Sequence, residues 1–222
     1  VDATPTVESM EWLGWPDAVQ SVSKVVVNDD GVVALTAATA TWRTQGHVQV
    51  QDGWSGLLSW ESSIESINAS GEVTGWKVDN DVEPTHGYVW SPTSGFATTE
   101  SVQPANTSFV RATATSDDGV MVGRICLDSG SCWPFRWEAG GVFDVLTGTV
   151  EFGEVMAQNV AGTMLVRRFA GSRNEIYLIE PDDTVVPLPE APWDLINPLD
   201  LNSAGIVVGD AETSSGLDQA FL

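Results

Sequence analysis

NSAGIVVGD, residues 202–210, is the last of five related segments that decide the fold of this 222-residue chain. Each segment has a polar turn that ends in glycine and continues into an apolar run. The other four are NDDGVVAL from residue 28, NASGEVTGW from 68, SDDGVMVGR from 116 and NVAGTMLVR from 159. The turn glycines are Gly31, Gly71, Gly119, Gly162 and Gly205, and three residues before them stand Asn28, Asn68, Ser116, Asn159 and Asn202. Asn and Ser side chains bond the local backbone and glycine accepts a positive φ, so each segment predicts a tight β-hairpin.

Two further strands follow each hairpin in the sequence. The third strands are HVQVQ from residue 47, GYVW from 87, PFRW from 134, IYLIE from 176 and AFL from 220. The fourth strands are GLLSW from 56, GFATTE from 95, GVFDVL from 141 and TVVPLP from 184. Four short strands per repeat without helical periodicity are typical of a propeller blade.

The spacing of the repeats favours a closed ring. Turn glycines are 40 to 48 residues apart, and the interval from Gly205 through the chain ends to Gly31 falls in the same range. The sequence therefore predicts one all-β domain, 1–222, folded as a five-bladed β-propeller. The blades are expected at about 22–61, 62–102, 109–148, 152–190, and 195–222 together with 6–14. The alternative is an open five-repeat solenoid, whose end repeats need caps.

The fifth repeat reaches only its third strand before Leu222. VESMEWLG, from residue 7, has no other place in the pattern. We therefore expect this N-terminal strand to complete and close the last blade.

Charge limits the classes of partner. Nine Lys and Arg residues against 31 Asp and Glu residues give a formal net charge of −22. Such a chain repels phosphate backbones and anionic lipid surfaces, and no run approaches the roughly 18 apolar residues of a membrane span. We expect neither nucleic-acid binding nor membrane insertion. A halophilic or marine origin and an ordinary acidic extracellular protein both fit this composition.

Cys126 and Cys132 enclose the short polar loop LDSGS. A disulfide across this hairpin would indicate an oxidising compartment, and two free thiols are the alternative. The chain begins at Val1 without a signal-like apolar run, which fits a mature secreted product or a trimmed chain.

INASGEVTGW with HGYVW, and LNSAGIVVGD with QAFL, resemble the bacterial HAF-type extracellular repeat, whose units carry an "IN..G.VVG … AFLW" pattern. The resemblance covers all five repeats and is weakest at the fourth, which lacks the second glycine. It implies a secreted or surface protein of β-propeller type, and it implies no catalytic residues.

Candidate site residues fall in the variable loops between second and third strands and near one rim of the propeller. Asp79, Asp81 and Glu83 in the loop VDNDVEPT could hold Ca²⁺ through carboxylate oxygens, or could form a solvated acidic face. Rings in or beside loops provide stacking for sugars, or they plug blade junctions. These rings are Trp42, Trp133 and Trp193.

The position five residues after the turn glycine is held by Trp76, Arg124 and Arg167 in the middle three repeats, and all three are candidate ligand contacts at one rim. The two arginines could clamp an acidic group, or pair with the surrounding acids. His86 and His47 precede equivalent third strands, which indicates a repeated structural role, although His86 is kept among the candidate ligand contacts.

Function is predicted from these features as extracellular binding or adhesion, with lectin-like recognition of a glycan or other cell-surface ligand. A small glycan-active hydrolase with paired carboxylates near the axis is one alternative, although no nucleophile motif is present. The other is a structural surface protein of a cell envelope or virion in saline habitat, assembled with other surface proteins.

Overall fold

The computed structural model describes residues 19–39, 44–50, 53–56, 61–78, 85–170, 173–189, 195–212 and 218–222. Its strands form five antiparallel sheets, which follow one another along the chain. They are β1 (Val19–Val27), β2 (Val33–Thr39), β3 (Thr44–Val50), β4 (Gly53–Gly56), β5 (Glu61–Ile67), β6 (Val73–Val78), β7 (His86–Ser91), β8 (Gly95–Thr98), β9 (Thr107–Thr115), β10 (Val120–Leu127), β11 (Cys132–Glu138), β12 (Phe143–Val145), β13 (Gly153–Gln158), β14 (Met164–Ala170), β15 (Arg173–Ile179), β16 (Val185–Pro187), β17 (Leu195–Leu201), β18 (Val207–Glu212) and β19 (Asp218–Phe221). A 3₁₀ turn covers Thr99–Ser101.

The sheets are the blades of a five-bladed β-propeller, as predicted. Strands are paired in chain order within every sheet, and the first four sheets have four strands each. The first strand of each later sheet packs across the sheet before it: β5 on β1 to β3, β9 on β5 to β7, β13 on β9 to β11, and β17 on β13 to β15. The first strands are therefore innermost, and the blades succeed one another around an axis. The predicted N-terminal strand lies outside the described residues.

The five predicted hairpin turns are confirmed. All five turn glycines have φ between 76° and 84°, a conformation that strains other residues. In each turn the glycine N–H donates to the carbonyl three residues earlier, at 3.0–3.1 Å. The Asn or Ser side chain at that earlier position accepts a hydrogen bond from the backbone N–H four residues ahead of it. The repeated sequence pattern thus encodes one turn geometry.

A second glycine occurs in three of the segments because strands 1 and 2 approach closely there. A Cβ atom on Gly75 would lie 1.9 Å from the carbonyl oxygen of Ser63, and one on Gly123 would lie 2.0 Å from that of Arg111. A Cβ atom on Gly209 would lie 2.3 Å from the carbonyl oxygen of Asn197. Irregular pairing between the first two strands accompanies the glycine in each of these blades.

The hydrophobic core lies between blades rather than within them. Val110 and Ile125 of blade 3 pack with Val89 of blade 2, and equivalent clusters join the other successive blades. Each large side chain buried in this way contributes about 1.5–3 kcal/mol. In the part of the chain that is described, no helix has the length and apolarity needed to traverse a lipid bilayer.

Candidate functional site

The turns of the first four blades surround a polar cavity of about 230 Å³ at one end of the axis. Its lining consists of the last residue of each inner strand and the first two residues of the following turn. These are Val27, Asn28, Asp29, Ile67, Asn68, Ala69, Thr115, Ser116, Asp117, Gln158, Asn159 and Val160.

Side chains of the turn asparagines connect neighbouring blades around this cavity. Asn28 Nδ2 donates to the carbonyl of Asn68 at 3.0 Å, and Asn68 Nδ2 donates to that of Ser116 at 2.9 Å. Asn159 Nδ2 reaches the carbonyl of Asn202 at 3.2 Å. Ser116 is too short for the same reach, and its hydroxyl donates within its own turn to Asp118. We call these three inter-blade bonds the asparagine latches.

A second group of polar residues lies half-way along the inner strands. Glu65 of β5 accepts hydrogen bonds from Lys24 Nζ at 2.6 Å, Arg111 Nη2 at 3.2 Å and Trp76 Nε1 at 3.0 Å. Lys24 and Arg111 stand on the inner strands of blades 1 and 3, which flank blade 2, so all three side chains meet near the axis. With Arg124, they form what we call the axial charge cluster.

The carboxyl of Glu65 is ionised and strongly held. Its side chain is only 8% exposed, and this burial alone would raise its pKa. The hydrogen bond and charge of Lys24, the charge of Arg111 and the indole N–H of Trp76 together outweigh burial and lower the pKa. The cluster therefore keeps a fixed negative charge between two cations.

Arg124 has a different environment from the other predicted arginine. It lies directly opposite Arg111 in the pairing of β9 with β10, and its guanidinium stands 5.5 Å from the ring centre of Phe109. It forms no ion pair with any described carboxylate. Arg167, in contrast, pairs with Glu154 at 2.6 Å and also donates to Asn197. The two arginines of the predicted clamp are thus separated: the contacts of Arg124 lie within blade 3, whereas those of Arg167 join blades 4 and 5.

A larger cavity, about 320 Å³, opens between blades 4 and 5, and we call it the blade 4–5 cavity. One wall is the strand β15 and the others come from the ends of neighbouring elements. The lining residues are Ala170, Arg173, Asn174, Glu175, Ile176, Tyr177, Pro187, Leu188, Pro189 and Ile196.

Some polar groups of this cavity have hydrogen-bond partners within the protein. Asn174 Nδ2 donates to the carbonyl of Ile196 at 2.6 Å, whereas Asn174 Oδ1 is buried and accepts no hydrogen bond from the described residues. Glu175 accepts hydrogen bonds from Tyr177 Oη and from Arg168. The bond from Tyr177 and the charge of Arg168 lower the pKa of Glu175, so a carboxylate stands beside the tyrosine ring.

The remaining predicted site residues are dispersed. Trp133 is half-buried and packs against the core of blade 3. His86 is buried, and its Nδ1 lies 3.2 Å from Gln103 Oε1. Trp42, Trp193, Asp79, Asp81 and Glu83 lie outside the described residues. Within the described ranges, no three His, Cys, Asp or Glu side chains are grouped so as to hold a metal ion.

The predicted disulfide is confirmed. Cys126, near the end of β10, is bonded to Cys132, at the start of β11, with Cα atoms 4.0 Å apart. The bond closes the hairpin loop of blade 3.

Sequence reasoning missed Glu65, Arg111, Asn174 and Tyr177. A signal for the first two exists, because charged residues in the innermost strands, which read ESSIESI and TSFVRATAT, must find partners near the axis. For Asn174 and Tyr177 no pattern was available, since the blade 4–5 cavity arises from two blades together.

No family model and no curated protein matches the sequence. Solved structures match in fold. TolB from Acinetobacter baumannii is 13% identical with a TM-score of 0.57, and the match covers 90% of this chain and 53% of that one. A protein described as TolB from Agrobacterium tumefaciens is 11% identical with a TM-score of 0.61, over 93% and 76%. Virginiamycin B lyase from Staphylococcus aureus is 13% identical with a TM-score of 0.50, over 92% and 70%.

These identities show the propeller fold alone. This chain spans about half the length of the Acinetobacter TolB. A lyase and TolB proteins share the fold, so the fold does not assign a function to this chain.

Proposed function

We propose that the protein is an extracellular carbohydrate-binding module and that a sugar occupies the blade 4–5 cavity. The lining of this cavity carries the proposal. Tyr177, Pro187 and Pro189 offer apolar surface for the face of a pyranose ring, while Asn174 Oδ1, which accepts no hydrogen bond from the described residues, offers an acceptor for its hydroxyls. This combination of ring surface and polar edge is the chemistry that a sugar requires.

The size of the site fits a short ligand. Its volume of about 320 Å³ is at the lower end of the range of small-molecule pockets, about 300–1,000 Å³. One or two sugar units of a longer glycan would fill it. Trp193, predicted to contact the ligand, lies in the chain between Pro189 and Ile196, both of which line the cavity.

An extracellular location is part of the same proposal. The Cys126–Cys132 disulfide persists in oxidising compartments, and the resemblance to HAF-type repeats points to the same place. The net charge of −22 suits a saline habitat, where self-repulsion is screened within about 10 Å.

Glycan-array screening followed by calorimetry with the best glycan tests the proposal. Tyr177→Ala removes the ring and should weaken binding about tenfold, whereas Tyr177→Phe keeps the ring and should bind within about threefold of the parent. Phe96→Ala, which removes a partly exposed ring on blade 2, is the matched control and should bind normally.

Three outcomes would overturn the proposal. They are the absence of any glycan ligand, an equal loss of affinity in Phe96→Ala, and the appearance of reducing ends when a polymeric ligand is incubated with the protein. The last result would favour the glycan-active hydrolase.

We further propose that residues 7–14 form the missing outer strand of blade 5. In the described residues, blade 5 has three strands where the others have four, and the edge of β19 has no neighbour in its sheet. Leu222, next to that edge, is 90% exposed. A strand added there would complete the blade and join the two ends of the chain.

Truncation tests this closure. Deleting residues 1–14 removes a paired strand with its apolar side chains and should lower stability by several kcal/mol, about 3–5. Deleting residues 1–5 is the control and should leave the melting temperature unchanged. An unchanged melting temperature after the longer deletion would exclude the closure.

A further inference from the structure

We propose that Arg111 and Arg124 form a binding site for a small oxyanion, the carboxylate or sulfate group of an acidic ligand, near the propeller axis. The site lies on blade 3 and shares no residue with the blade 4–5 cavity. This proposal therefore goes beyond the proposed function and can be tested independently of it.

The charge balance of the axial charge cluster carries this inference. Lys24, Arg111 and Arg124 contribute three positive charges, and Glu65 is the one carboxylate that pairs with any of them among the described residues. Directly opposed like charges on neighbouring strands are unfavourable unless something neutralises them. The pair of arginines thus carries positive charge that its described protein neighbours do not compensate.

This excess is notable because carboxylates are abundant in the chain. Acidic residues number 31 against nine basic ones. Arg136, Arg167 and Arg168 each pair with a carboxylate, of Asp183, Glu154 and Glu175 respectively. Arg124 has instead the ring of Phe109 as its neighbour. Among the described residues, the Arg124 guanidinium therefore lacks the carboxylate partner that these other arginines have.

The geometry positions both guanidinium groups for an anion. Glu65 holds Arg111 through one nitrogen, Nη2, at 3.2 Å, and the Arg111 side chain remains 38% exposed. Packing on Phe109 holds the Arg124 guanidinium over the ring, and Arg124 Nε is buried and has no hydrogen-bond partner among the described residues. The N–H donors of a guanidinium lie at the edge of its plane. Two such donor edges on adjacent strands suit the oxygens of a carboxylate or sulfate.

Titration with sodium D-glucuronate, sodium sulfate and uncharged glucose tests the site. Trp76 is a built-in reporter, because its indole N–H donates to the same Glu65 that holds Arg111. The indole signal in an NMR spectrum is assigned by its disappearance in Trp76→Phe. We expect saturable shifts of this signal with glucuronate and with sulfate, and none with glucose. A shift with glucuronate alone would identify a carboxylate site.

Variants separate a site from a general charge effect. Arg124→Gln should weaken anion binding at least about tenfold, as expected for losing a charged hydrogen bond. Arg168→Gln makes the same change of net charge on blade 4 and should leave binding within about twofold. Arg124→Lys, which keeps the charge without the fork, should give an intermediate loss and preserves the test if Arg124→Gln does not fold.

The proposal is overturned if neither anion shifts the Trp76 signal, if glucose shifts it as much as glucuronate, or if Arg168→Gln loses as much affinity as Arg124→Gln. None of these results would bear on the proposal that a glycan binds in the blade 4–5 cavity.

Discussion

Replacing Asn68 by alanine should destabilise the protein more than the same change at Asn202. Asn68 is 3% exposed and makes three hydrogen bonds with its side chain: Nδ2 to Ser116 O at 2.9 Å, Nδ2 to Glu72 Oε2 at 2.8 Å, and Oδ1 from Glu72 N at 2.8 Å. At about 1 kcal/mol for each bond, Asn68→Ala should cost about 3 kcal/mol. For a domain of this size that corresponds to a fall in melting temperature of about 6–12 °C.

Asn202→Ala is the matched control for this prediction. Asn202 caps its own turn by accepting from Ala204 N and Ile206 N, each at 2.9 Å, and it is exposed. It makes no latch to another blade within the described residues, so the loss of its two bonds should cost at most about 2 kcal/mol. The difference between the two losses in free energy of unfolding gives the contribution of the buried latch, separated from that of the local turn.

Urea unfolding followed by tryptophan fluorescence measures both free energies. Equal losses in the two variants would refute the reasoning, since turn capping alone would then account for the effect. A loss below about 1 kcal/mol in Asn68→Ala would show that the latch contributes nothing net.

Four further predictions concern stability. The pKa of Glu65 in the folded protein lies below its ordinary value of 4.5, so the stability that its carboxylate contributes is complete above pH 4.5 and is lost as pH falls through the folded pKa. Glu65→Gln should therefore lower the free energy of unfolding at pH 7. The difference in stability between this variant and the parent should narrow when unfolding is measured in acid. Burial lowers the pKa of His47, so the stability of the protein should fall as pH drops below 6.5. In His47→Gln the urea midpoint of unfolding should change less between pH 7 and 5 than in the parent. An equal dependence on pH in the two proteins would contradict this. Replacing Cys126 and Cys132 by serine should cost about 2 kcal/mol in urea unfolding, from the entropy of a short closed loop, and no loss would show that the folded hairpin does not depend on the bond. Ser116→Asn supplies the latch missing between blades 3 and 4 and should stabilise by about 1 kcal/mol, a gain that calorimetric melting should detect and that a lower melting temperature would contradict.

The sequence was most informative about the hairpin turns. Ser116 bonds the backbone only four residues ahead, and the positive φ of Gly119 belongs to the same turn. Such local interactions can be predicted from one short segment of sequence. The limits of two strands differ from the prediction. The third strand of blade 4 begins at Arg173 and the fourth strand of blade 1 covers Gly53–Gly56, both earlier in the chain than expected, because pairing with the preceding strand sets these limits.

Candidate sites were harder to predict because their members are distant in sequence. Glu65 and Arg111 stand 46 residues apart, and their meeting depends on how one blade packs on the next. Trp76 was identified as a candidate, but its bond to Glu65 could not be foreseen, since irregular pairing at Glu65 changes which way the inner strand presents its side chains.

The asparagine latches all point forward along the chain. Asn28 donates to blade 2, Asn68 to blade 3 and Asn159 to blade 5, so in each case the donor is synthesised before its acceptor. During synthesis a completed blade would present an amide to the blade that emerges next. Assembly from the N-terminus would then proceed by successive docking onto a surface already in place, and loss of the last blade would leave the bonds of the earlier ones intact.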